Sequence, residues 1–151
     1  MEKNEYIDQL VKLELNASDV YRLFSELNEL DKDFWWKLSM EEVNHASLLK
    51  SIHYYINLDS FPDEMIINNI QEVLNINKYL EDIILQYKIN PSRKKAFDIA
   101  IEIENSAAES HFEKVMTEQS NNNVIEVFKK LNKDDINHLN RIIKYMKENN
   151  I

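Results

Sequence analysis

The feature of this sequence that most restricts its fold is the absence of glycine from all 151 residues. Tight hairpin turns need positive φ angles, which glycine adopts at the lowest cost, so a fold built from many β-hairpins is disfavoured. Helices have no such requirement. The length corresponds to one domain that can bury a substantial core. We therefore expect a single all-α domain spanning residues 1–151.

Charge and residue usage exclude several classes of function. A formal net charge of −9 disfavours a broad nucleic-acid-binding surface. The absence of cysteine excludes disulfides, thiolate zinc sites and haem attachment through cysteine. The chain begins with polar residues, and no apolar run approaches the roughly 20 residues of a membrane span. We therefore expect a cytoplasmic protein without a membrane or nucleic-acid partner.

The spacing of apolar residues predicts four long helices. The first two, at about 4–29 and 32–57, are separated by a very short connection and should pack as an antiparallel hairpin. The last two, at about 93–118 and 124–147, should do the same after a break at Asn90-Pro91-Ser92.

The connection between the hairpins, at about 62–90, carries enough apolar residues for one or two additional helices. It is long enough to cross a bundle. We therefore expect a four-helix bundle made of a first hairpin at about 4–57 and a second at about 92–147. The basic run at 93–95 is interpreted as solvated helix surface.

The apolar stripe of each long helix is interrupted by an acidic residue, and in the last three helices also by a histidine. Glu42 precedes His45 by three residues, and Asp135 precedes His138 by three, so each pair lies on one helical face and can reach one metal ion. One carboxylate per helix with two such histidines is the ligand inventory of a di-metal bundle site. The predicted ligands are Glu14, Glu42, His45, Glu104, Asp135 and His138.

The six predicted ligands form two sets of three, one in each half of the chain, and the second set nearly repeats the spacing of the first. Such a repeat suits two metals held alike. Four carboxylates in an apolar interior repel one another, and each carries a desolvation cost of several kcal/mol. Two divalent cations would balance their charge and leave the imidazoles as neutral ligands. Oxygen and imidazole ligands without thiolates favour iron, with manganese and zinc as alternatives, so we expect two metal ions.

Three further residues lie close to these motifs. Tyr21 should lie near Glu14, where it either hydrogen-bonds a ligand or fills the core, and it is a candidate catalytic residue. His111 occupies the corresponding place in the second half and is a candidate extra ligand or proton carrier. His53 is more than a helical turn beyond His45 and is interpreted as structural or surface.

Four segments of the chain form a combined motif: Glu14-x-x-Ala17-x-x-x-Tyr21, Glu41-Glu42-Val43-Asn44-His45-Ala46, Ala100-x-x-x-Glu104-x-x-Ala107 and Asp135-x-x-His138. Together they resemble the ferritin-like superfamily, especially its rubrerythrin and bacterioferritin branch, over most of the chain. This resemblance implies that Glu14 and Glu104 are terminal ligands and that each histidine binds one metal. Glu42 and Asp135 would be bridging carboxylates.

The resemblance also implies an activity. Such a site would oxidise ferrous iron with dioxygen or reduce hydrogen peroxide, using an external electron donor, in iron handling or oxidative-stress defence. We therefore expect an oxidoreductase that forms a homo-oligomer, a dimer or larger. The alternatives are an iron-storage or metal-carrying oligomer and a helical interaction module with a vestigial site.

The chain departs from the family pattern at three points. Asp135 stands where the family usually has glutamate, which shortens the reach of that ligand. Ala107 stands where rubrerythrins carry an additional glutamate, and no cysteine is present to build a rubredoxin domain.

Overall fold

The computed structural model describes residues 3–56, 70–106 and 122–151. Within these ranges the regular structure is helical and no strand occurs, so the predicted all-α class is confirmed for this part of the chain. None of the helices here combines the length and apolar character needed to cross a membrane. The helices are α1 (Lys3–Leu27), α2 (Lys32–Ile56), α3 (Ile70–Tyr87), α4 (Arg93–Glu104) and α5 (Asn123–Asn149).

The helices begin and end without help from glycine. The side chain of Ser92 accepts a hydrogen bond from the backbone N–H of Lys95 at the start of α4, and Asn122 accepts one from Val124 at the start of α5. At the end of α5, Asn150 adopts the left-handed conformation with a φ of 55°. Asparagine tolerates this region better than most residues, and in the described ranges no other residue has a positive φ.

Helices α1 and α2 form an antiparallel hairpin, joined by a single 3-10 turn at Glu29–Asp31. Near the turn, Ser25 Oγ donates to the carbonyl of Lys32 at 3.0 Å. Halfway along, the hydroxyls of Ser18 and Ser39 lie 3.0 Å apart. Contacts thus pair residues of falling number in α1 with residues of rising number in α2, as the short predicted connection requires.

Helix α4 ends earlier than the sequence predicted. The expected helix ran to about residue 118, but the structure leaves the helical conformation at Asn105, whose φ and ψ are −92° and 12°. The Asn105 side chain donates to the carbonyl of Ile101 at 3.0 Å, and the N–H of Ser106 bonds to the carbonyl of Ile103. Asparagine and serine compete for backbone groups in this way and favour helix ends. The rest of the predicted helix, residues 107–118, lies outside the described residues, and with it His111 and Ala107.

A buried carboxylate ties the hairpin turn to the two later helices. Asp31 has a completely buried side chain, and it accepts two hydrogen bonds of 2.8 Å from the guanidinium of Arg93. The hydroxyl of Tyr145 donates to the same carboxylate at 3.0 Å. The interpretation of residues 93–95 as solvated surface is therefore wrong for Arg93, which joins the start of α4 to the α1–α2 turn.

Candidate metal centre

Four helices bring the six predicted ligands into the interior. Glu14 comes from the middle of α1, and Glu42 and His45 come from α2, one turn apart. Glu104 is the last residue of α4. Asp135 and His138 lie one turn apart on α5. The exposed fractions of these residues are all between 2% and 8%, so each is buried despite its polar character.

Glu42 lies at the centre of this group, between the two histidines. Its Oε2 atom is 2.9 Å from Nδ1 of His45, and its Oε1 atom is 2.9 Å from Nδ1 of His138. The two imidazole rings are nearly parallel, with centroids 5.2 Å apart and an angle of 17° between their planes. Each oxygen of one carboxylate therefore faces a different imidazole, as a bridging ligand requires.

The other three carboxylates surround the same two nitrogen atoms. Glu14 Oε2 and Asp135 Oδ1 each lie 3.7 Å from Nδ1 of His45. Glu104 Oε1 lies 3.7 Å from Nδ1 of His138. The structure thus brings together all six residues that the sequence analysis selected; their binding of metal stays a prediction.

The donor atoms are arranged in a way that fits a metal. Glu42, His45, Asp135 and His138 offer one ligand atom each, all within 4.8 Å of one another, and this group could hold a metal ion. Nδ1 of His138 is buried and makes no hydrogen bond, although Glu42 is only 2.9 Å away. A buried polar atom that lacks a well-directed hydrogen bond is costly, and a metal ion shared with Glu42 would satisfy it.

The pKa of Glu42 is shifted in the opposite direction from those of the other three carboxylates. Burial raises the pKa of Glu14 to about 7, and it also raises the pKa values of Glu104 and Asp135. Burial acts in the same direction on Glu42, but the imidazoles of His138 and His45 outweigh it and lower its pKa to about 2. Without metal, Glu42 is therefore the carboxylate of the group that is held ionised by its two histidine neighbours.

Without metal, the histidines carry protons that take the place of a metal charge. Burial disfavours the charged imidazoles, but Glu14 and Glu42 raise the pKa of His45 to about 11. Glu104 and Glu42 likewise raise the pKa of His138 to about 10. Both rings are therefore protonated at neutral pH, and each must lose a proton from the atom that binds metal.

We expect divalent metal binding to release at least the proton of each imidazole, so the apparent affinity should fall as the pH is lowered from 8 to 6. Calorimetric titration with zinc in buffers of different ionisation enthalpy measures the number of protons released. Binding that releases no protons would contradict this picture of the metal-free site.

Tyr21 contacts the group from the first helix. Its hydroxyl donates to Oε1 of Glu104 at 2.5 Å, so its polar partner is a predicted ligand of the other hairpin. Its ring stacks on Trp35, with centroids 5.8 Å apart. These contacts fix the orientation of the Glu104 carboxylate; a catalytic role for Tyr21 stays a prediction.

Sequence analysis missed two acidic residues that contact the histidines from outside. Glu41 Oε2 lies 2.8 Å from Nε2 of His138, and Asp134 Oδ2 lies 3.4 Å from Nε2 of His45. The available signal was that an acidic residue directly precedes both Glu42 and Asp135 in the sequence. Spacing alone could not reveal that each contacts the histidine of the opposite helix.

A surface cavity of about 630 Å³ reaches the site from the same side, between α2 and α5. Both histidines contribute to its wall, together with Glu41 and Asp134. Most of the remaining lining residues are polar, including Asn44, Ser47, Ser51, Asn137 and Arg141. Both imidazoles therefore border a cavity that opens to the surface.

Comparisons of the chain with protein-family models, with curated proteins and with solved structures gave no significant match. Its function is therefore inferred from the residues of the site.

Proposed function

We propose that this protein is a di-metal carboxylate protein of the ferritin-like kind, which oxidises ferrous iron or reduces peroxide. In this proposal α1, α2, α4 and α5 form the four-helix bundle. The observation that carries it is the position of Glu42, with one oxygen facing the inward nitrogen of each histidine at 2.9 Å. A buried glutamate that served only to pair with one histidine would not need a second histidine at the same distance from its other oxygen.

The six residues divide into two donor sets that share Glu42. One set comprises His45, Glu14 and Asp135, and the other comprises His138 and Glu104, as judged by their distances to the two Nδ1 atoms. Asp135 lies nearer the His45 set, at 3.7 Å from its nitrogen, although its ligand atom is also within 4.8 Å of that of His138. The shorter side chain of aspartate is consistent with this off-centre position, so we propose Glu42 as the principal bridging ligand.

The protein environment supports redox chemistry of small molecules. When bound, a pair of ferrous ions supplies two electrons, which with two protons convert one hydrogen peroxide molecule to two water molecules. The buried carboxylates hold the charge of the pair, and the Tyr21 hydroxyl orients Glu104. The cavity beside the histidines is large enough for peroxide or dioxygen to approach the site.

The proposal predicts stoichiometric metal binding. Anaerobic titration with ferrous iron should saturate at two ions per chain, and the loaded protein should then consume added peroxide. His45→Asn should lose much of this binding because it removes an inward ligand atom. His53→Asn is the matched control, since His53 also lies on α2 but contacts Asn4 and Asp8 at the surface.

Two results would contradict the proposal. One is a wild-type protein that binds no stoichiometric metal, and the other is equal binding by the His45 and His53 variants. Circular dichroism of both variants establishes that each remains helical before the titrations are compared.

A further inference from the structure

The outer nitrogen atoms of the two histidines each face a carboxylate that the metal ligand set does not include. Nε2 of His138 lies 2.8 Å from Glu41, and Nε2 of His45 lies 3.4 Å from Asp134. The contacts cross between helices: Glu41 on α2 meets the histidine of α5, and Asp134 on α5 meets the histidine of α2.

Once Glu42 is engaged by metal, the outer carboxylates are the contacts that decide which imidazole nitrogen keeps its proton and which binds metal. A neutral imidazole has one N–H and one lone pair, and a carboxylate beside Nε2 favours the proton on that atom. The lone pair is then on Nδ1. In both rings Nδ1 is the atom that faces Glu42, at 2.9 Å in each case.

Each outer carboxylate is itself held by a basic side chain. Arg141 Nη1 donates to Oε2 of Glu41 at 2.6 Å, and Lys130 Nζ donates to Oδ2 of Asp134 at 2.7 Å. Lys130 and Asp134 are one helical turn apart, which fixes the carboxylate along α5. Neither acid is buried as deeply as the histidines: Glu41 is 27% exposed and Asp134 33% exposed, against 2% and 4% for the rings.

We propose that Glu41 and Asp134 are positioning residues, which hold His138 and His45 with Nε2 protonated and Nδ1 directed at the metals. This inference rests on the proposed di-metal function and deepens it. The two contacts are unequal, because the Glu41 distance is 2.8 Å and the Asp134 distance is 3.4 Å. Loss of Glu41 should therefore have the larger effect.

The experiment compares Glu41→Ala, Glu41→Gln and Asp134→Ala with wild type, using zinc as a diamagnetic probe. Outer partners of metal-bound histidines are typically worth roughly 10- to 100-fold in metal affinity. Glu41→Ala should lower zinc affinity within this range, and Asp134→Ala should lower it less. Glu41→Gln should recover part of the loss because its amide oxygen still accepts from Nε2.

A second measurement separates positioning from a general loss of structure. NMR of the histidine ring nitrogens in the zinc-loaded protein should show Nε2 protonated and Nδ1 bound to metal in wild type. Glu41→Ala should weaken or mix this state for His138 and leave His45 unchanged. The charge control is Glu126→Ala on α5, whose carboxylate is 61% exposed and pairs only loosely with Lys129 at 3.5 Å.

The possible failures are distinguishable. If wild-type protein binds no zinc, the proposed di-metal function fails, and the positioning role fails with it. If wild type binds zinc but Glu41→Ala behaves like Glu126→Ala in affinity and in ring-nitrogen spectra, only the positioning role is overturned.

Discussion

Replacing Glu42 with glutamine is expected to weaken metal binding at both positions, whereas Glu14→Gln should weaken it at one. Glu42 places one oxygen beside each inward histidine nitrogen, at 2.9 Å. Glu14, in contrast, approaches one of the two histidines: its Oε2 atom lies 3.7 Å from Nδ1 of His45. Loss of the shared ligand should exceed the roughly 10- to 100-fold effect typical of outer partners.

The Glu42→Gln variant also tests whether the Glu42 carboxylate stabilises the metal-free protein. Glu42 is the ionised carboxylate between two imidazoles whose pKa values are raised to about 11 and about 10. Removing one member of a buried ion pair typically costs about 3–5 kcal/mol, so the metal-free variant should also be less stable. Urea unfolding monitored by circular dichroism measures this loss.

Zinc or ferrous titrations of Glu42→Gln, Glu14→Gln and Glu26→Gln complete the comparison. Glu26 is exposed on α1 and serves as the control for loss of one negative charge. If the Glu42→Gln variant bound two ions with wild-type affinity, the role of Glu42 as a ligand shared by both metals would be contradicted. Equal losses in the Glu42 and Glu14 variants would contradict the division into two donor sets.

Helical periodicity was sufficient to select residues that meet in space. Glu42 and His45 share a face because they are three residues apart, and the same holds for Asp135 and His138. Apolar neighbours on those faces predicted burial, and the structure buries all four. This part of the site follows from local geometry, which the sequence records directly.

Contacts between helices could not be derived in the same way. The crossing of Glu41 to His138 depends on the relative rotation and axial offset of α2 and α5, which side-chain packing along their whole length determines. The sequence shows only that an acidic residue precedes each central carboxylate. For the same reason Tyr21 was assigned to the vicinity of Glu14, while its hydroxyl donates to Glu104.

The end of a helix is a second feature that could not be predicted reliably from the sequence. The predicted third helix continued past Glu104 because apolar spacing continues, but Asn105 and Ser106 satisfy backbone groups that a helix would otherwise use. The competition between side chains and the helix for backbone hydrogen bonds involves less free energy than burial of apolar residues. Whether the helix ends at such a residue therefore depends on the surrounding packing. The start of the same helix was easier to place, since Pro91 and the Ser92 cap mark it directly.

Replacing Arg93 with methionine is expected to destabilise the protein by about 3 kcal/mol, because it leaves the buried Asp31 carboxylate without its charged partner. For a chain of this length, that loss corresponds to a fall of roughly 6–12 °C in Tm. The side chain of Asp31 is completely buried, and after the substitution only the hydroxyl of Tyr145 is described as donating to it. The guanidinium contributes two of its three described hydrogen bonds.

The neighbouring residue supplies a matched control. Lys94 also lies in the first turn of α4, but its ion pair with Asp98 is exposed, with side chains 74% and 49% accessible. Such exposed pairs contribute about 0–1 kcal/mol, so Lys94→Met should change Tm little. Asp31→Asn combined with Arg93→Met removes both charges and should recover part of the stability, since no buried charge is then left unpaired. Equal Tm values for the Arg93 and Lys94 variants would show that the link between the α1–α2 turn and α4 does not stabilise the fold.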